Sequence, residues 1–63
     1  MIESENCQFW LGKAQEAVSA RSQSMAEWVR HQIGAELEVE GLSKEEHDRI
    51  ESVLDCVLSG CCG

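Results

Sequence analysis

Four cysteines, two histidines and twelve carboxylates are the side chains of this 63-residue chain that could do chemistry. Cys56-x4-Cys61-Cys62 gathers three thiols at the C-terminal end, and His47 or Cys7 could add a fourth ligand. Zinc takes four nitrogen or sulfur ligands at tetrahedral positions, usually from C-x2-C pairs in short loops. This spacing contains no such pair, and adjacent cysteines project in different directions. The reading is therefore no metal and no cofactor; Cys56, Cys61, Cys62 and His47 are the set from which a metal- or thiol-based alternative would have to be built. The plainer expectation is that Cys56 packs on a helix and that the tail, residues 60–63, frays. The final Cys61-Cys62-Gly63 does not fit a prenylation signal.

The histidines name no reaction. His31 sits in Arg30-His31-Gln32, on what should be an exposed polar face, and His47 lies near the edge of the apolar stripe that begins at Ile50. A general base needs a reacting group within hydrogen-bond reach, and no serine or cysteine constellation accompanies either ring. No catalytic residue is assigned, and the chain is read as a non-enzyme.

The carboxylates gather at one place. Glu36, Glu38, Glu40, Glu45, Glu46, Asp48 and Glu51 flank Gly41-Leu42. They lack the spacing and glycine of a calcium-binding loop. They read as a solvated end that also caps helices, or as a dock for a basic partner, with DNA mimicry as one form of it. The formal net charge of −7 argues against direct nucleic-acid binding and against docking on anionic lipid. No apolar run is long enough for a membrane span, and the acidic opening Met1-Ile2-Glu3-Ser4-Glu5 does not resemble a secretory signal. The expected compartment is the cytoplasm, where thiols stay mostly reduced.

Helices must position these residues. In the last third, Ser43 is an N-cap and Glu46, three residues on, completes a capping box. Glu45, Glu46 and Asp48 put negative charge where the helix dipole favours it. Ile50, Val53, Leu54, Val57 and Leu58 then form one apolar face, and Gly60 suits a left-handed stop. This predicts a helix over 44–59. From Glu5 to Glu40 there is no proline, and the stripe Leu11, Ala14, Val18, Met25, Val29 and Ile33 keeps one angular phase. Trp10, Ala17 and Trp28 widen it on one side and Leu37 on the other. Phase continuity favours one helix over 5–40, although Ser24-Met25-Ala26-Glu27 is a second capping-box pattern that allows a break near 22–24, after which the N-terminal piece could fold back as a third helix and bury the same stripe within one chain. A turn at 41–43 makes the two arms antiparallel neighbours.

The fold class expected is thus all-α: a single domain, residues 1–63, forming an antiparallel helical hairpin that associates as a homodimeric bundle. The arms would be about 50 Å and about 25 Å long, and a short arm cannot cover a long one. Val29, Ile33, Leu37, Ile50, Val53, Leu54, Val57 and Leu58 are assigned to the core within one chain. Trp10, Leu11, Ala14, Val18, Met25 and Trp28 are assigned to a dimer or partner interface. A domain of this size buries too little surface to be robust alone, so self-association would stabilise it. Tryptophan is also enriched among interface hot spots.

In size, acidity and helical character, from Met1 to Ser59-Gly60-Cys61-Cys62-Gly63, the chain resembles the short accessory proteins encoded in the early region of lambdoid bacteriophages, between the recombination and excision genes. That resemblance implies a non-enzymatic role in the host cytoplasm, bearing on host growth and the lysis–lysogeny balance. It carries over no site residues. The expected function is that of a small acidic interaction protein that modulates a host or viral protein. A cysteine-based metal- or thiol-binding protein and an acidic DNA mimic are the alternatives.

Overall fold

The computed structural model describes residues 4–60. They form three helices of nearly equal length: α1 (Glu5–Ala20), α2 (Gln23–Glu38) and α3 (Lys44–Leu58). Among the described residues there is no strand. A serine opens each helix. Ser4 Oγ accepts from Cys7 N–H, Ser22 Oγ from Met25 N–H and Ser43 Oγ from Glu46 N–H, at 3.1, 3.2 and 3.1 Å. Each bond satisfies one of the amide donors that a helix start leaves without a partner. At Ser43 the capping box is complete, as its sequence implies. Gly60 takes the left-handed conformation just past α3, with φ 73°.

The long first arm expected from the continuous stripe is instead two helices, with the break at Arg21-Ser22. Arg21 adopts a left-handed conformation, φ 54° and ψ 39°. Its N–H bonds to Val18 O at 3.1 Å, and Ser22 N–H reaches back to Ala17 O at 3.0 Å. This pattern closes a helix by satisfying its last carbonyls. Ser22, not Ser24, then caps the next helix. A continuous helix over 5–40 would measure about 54 Å, whereas the longest extent of the molecule is 32 Å.

The hairpin of two unequal arms is accordingly replaced by three helices that pack in all three pairings. The chain doubles back so that Asn6, near the start of α1, donates to Glu36 Oε1 near the end of α2, at 2.8 Å. The same Asn6 amide donates to Gly41 O at 3.1 Å. In this second turn Glu40, not Gly41, takes the left-handed conformation, with φ 61°. A Cβ at Gly41 would meet the Glu36 carboxylate that Asn6 holds, so the end of that side chain would have to shift.

The core forms between the three helices. Cys7, Ala14 and Ala17 from α1, Ala26, Val29 and Ile33 from α2, and Ile50 and Leu54 from α3 are fully buried, with Trp10, Leu42 and Val57 nearly so. Ala14, Ala17 and Ala26 are the small members of this core. Leu11, Val18, Met25, Val53 and Leu58 pack around the edge. Among the described residues no helix is long and apolar enough to cross a membrane.

Candidate interaction surface

The stripe that was expected to lie between two chains is largely consumed inside one. Trp10 and Ala14 belong to the intrachain core, and Leu11, Val18 and Met25 pack against it. The premise of the dimer was an uncovered first arm; with helices of 16, 16 and 15 residues, each covers the others. Of the residues assigned to the interface, only Trp28 is exposed, at 48%. Of those assigned to the core, Val29, Ile33, Ile50, Leu54 and Val57 are buried, while Leu37, Val53 and Leu58 are half-buried.

A different apolar surface takes its place. Trp10 lies beneath two aromatic neighbours. Its ring centroid is 5.4 Å from that of Trp28, with planes inclined by 61°, and 4.9 Å from that of Phe9, inclined by 85°. Both are edge-to-face arrangements of the kind aromatic pairs prefer. Phe9 is 54% exposed. The surface thus carries Phe9 from α1 and Trp28 from α2 on a shared buried base. Lys13 Nζ sits 5.6 Å from the Phe9 centroid, in cation–π range. Phe9 was missed because it lies off the phase of the apolar stripe. The signal was present all the same: it adjoins Trp10, and an aromatic off the buried face of a helix has to point toward solvent or a partner.

The thiols and charged groups sort into separate places. Cys7 is a free, buried cysteine. Burial, followed by the nearby charge of Glu46 and a hydrogen bond to it, pushes the thiol pKa up. A thiol held neutral is a poor nucleophile and a poor metal ligand, so Cys7 is a core residue. Cys56 is disulfide-bonded, so at this position the expected reduced thiol is replaced and the sulfur leaves any thiolate ligand set. Cys61 and Cys62 lie outside the described residues. His31 is exposed on α2, as its polar neighbours imply. His47, at the core edge on α3, lies with Nδ1 3.4 Å from Asp48 Oδ1.

Glu46 does more than cap its own helix. Its Oε1 accepts Ser43 N–H at 3.0 Å, and its Oε2 accepts both Ser4 N–H and the Ser4 hydroxyl at 3.0 Å. These donors, the Ser43 amide foremost and then the Ser4 amide, hold the Glu46 carboxyl below its ordinary pKa. One carboxylate therefore links the starts of α1 and α3. The arrangement positions Phe9 and Trp10 indirectly, by fixing the first turn of α1 against α3. Comparison with protein-family models, with curated proteins and with solved structures finds no match for this chain.

Proposed function

We propose that this chain is a non-enzymatic interaction protein that binds another protein through the Phe9–Trp10–Trp28 surface. The observation that supports this reading is the exposure of two large aromatics, 54% and 48%, on one buried tryptophan. Rigid aromatics backed by a packed base lose little conformational entropy on binding, and they dominate interface energetics. The net charge of −7 selects the partner's chemistry: an apolar patch ringed by Lys and Arg, drawn in by long-range attraction. Arginine side chains can also stack on Trp28 and Phe9. On the resemblance to lambdoid early-region accessory proteins, the partner belongs to host or phage regulation of growth and of the lysis–lysogeny choice.

The test compares the wild-type chain with a Phe9→Ala/Trp28→Ala variant as bait for host proteins. Retention of one basic protein that falls with added salt and is lost with the double variant, while the helical circular dichroism is unchanged, supports the proposal. Equal capture by both baits overturns it. Self-association through the same face is the competing occupant. Sedimentation would then give twice the 7.0 kDa chain mass for the wild type and a single mass for the variant.

A further inference from the structure

We propose that the face of α3 bordering the groove between α2 and α3 binds a divalent transition-metal cation, with His47, Asp48 and Glu51 as ligands. This site is distinct from the aromatic surface and shares only His47 with the cysteine-based set that the sequence suggests.

The argument begins with helical spacing. His47 and Glu51 stand four residues apart, so both project from one face of α3. One donor atom from each of His47, Asp48 and Glu51 lies within 4.8 Å of the others; among the described residues this is a group able to hold an ion. Around a zinc-sized cation with bonds of 2.0–2.2 Å, tetrahedral donors stand about 3.4 Å apart. Small rotations of the carboxylates, 62% exposed at Asp48 and 41% at Glu51, close that difference. The His47 side chain is only 14% exposed, so packing already restrains its ring. Restraint of a ligand before binding is what makes a site selective.

The facing helix supplies the second observation. A groove of about 650 Å³ is lined by His47 and Glu51 on one side and by Glu27, His31, Gly34 and Glu38 on the other. Glu27 and His31 repeat on α2 the four-residue Glu/His spacing of α3. A methyl built on Gly34 would meet open space, so nothing crowds this wall of the groove. An imidazole beside two carboxylates suits zinc, nickel, cobalt or copper; magnesium and calcium prefer oxygen alone. One group opposes the ion: Arg30 Nε is 3.5 Å from Glu51 Oε2. The pair is well exposed and hence weak, and a bound cation would displace the guanidinium.

The test titrates the purified full-length chain with zinc by calorimetry and with cobalt by absorption. Expected are one ion per chain, a cobalt spectrum without a thiolate charge-transfer band, and a higher melting temperature in zinc by linkage. His47→Ala and Glu51→Gln should each weaken binding at least about 10–100-fold, the range that loss of even an outer-shell partner costs. Arg30→Gln should strengthen it, and by more than Lys13→Gln, which removes the same charge from α1, a helix that does not border the groove. All four positions are at or near the surface, so the variants should fold. Unchanged affinity in His47→Ala, a thiolate band with cobalt, or equal effects of Arg30→Gln and Lys13→Gln would each overturn the proposal.

Discussion

Glu46 and Ser4, 42 residues apart, are joined by two hydrogen bonds of 3.0 Å into a single carboxylate oxygen. Because the other oxygen serves Ser43, protonating this one group weakens two helix starts together. The carboxyl is held below its ordinary value of 4.5 by the Ser43 and Ser4 amides. In the window between the folded and unfolded values the unfolded chain binds the proton more readily, so stability rises with pH across it. The contribution is complete above the ordinary carboxylate range and is lost as pH falls through the folded value. Urea midpoints measured from pH 7 to pH 3 should therefore decline on the acid side. Glu46→Gln should lower the midpoint at pH 7 and flatten that decline. A steep acid limb unchanged in Glu46→Gln would place the responsible carboxylate elsewhere.

Arg21 and Glu40 both hold left-handed backbone, at φ 54° and 61°. That conformation costs an L-residue about 1–2 kcal/mol, of which glycine's greater freedom in the unfolded chain takes back about 0.5–1. Arg21→Gly and Glu40→Gly should each stabilise the fold by up to about 1 kcal/mol. Chemical denaturation of the two single variants measures this, and Arg21→Ala, which keeps a Cβ, should show no such gain. Destabilisation by Arg21→Gly would mean that the α1–α2 turn has another geometry.

The two tryptophans differ in exposure, 8% at Trp10 against 48% at Trp28. In Trp28→Phe the remaining indole should emit at shorter wavelength and resist quenching by iodide or acrylamide. In Trp10→Phe the remaining indole should be readily quenched. Trp28→Phe should also leave the melting temperature nearly unchanged, whereas Trp10→Phe should lower it. Equal quenching in the two variants would contradict the burial of Trp10 within one chain.

Leu54 is fully buried and Leu37 half-buried, although both lie on apolar stripes. Leu54→Ala removes a core side chain and leaves a cavity, at a cost of about 2–5 kcal/mol. A core in a chain this small supplies only about 3–5 kcal/mol in all, so Leu54→Ala should be largely unfolded at 25 °C by circular dichroism. Leu37→Ala should remain folded with a lower urea midpoint. The reverse order would require a different packing of α3.

The residues by themselves determined the parts of the fold that rest on short-range chemistry. Ser43 and Glu46 specify a helix start because their side chains meet amides only three residues away. Ile50, Leu54 and Val57 specify a buried face because the helix that carries them is uninterrupted. Tertiary structure decided what depends on where one helix stops and which way the next one points. Arg21 carries no glycine-like mark, yet one left-handed residue there turns the chain while the apolar spacing from Leu11 to Ile33 runs on as though nothing had happened. Periodicity records which residues share a face as long as the axis continues, and it is blind to a turn that preserves the count. For that reason Trp10 and Ala14 read as an uncovered stripe but lie in the core, while Phe9, outside the stripe, stands with Trp28 at the surface. The link from Glu46 to Ser4, and the groove where His31 and His47 both lie, likewise exist only once α1 and α2 have folded back on α3.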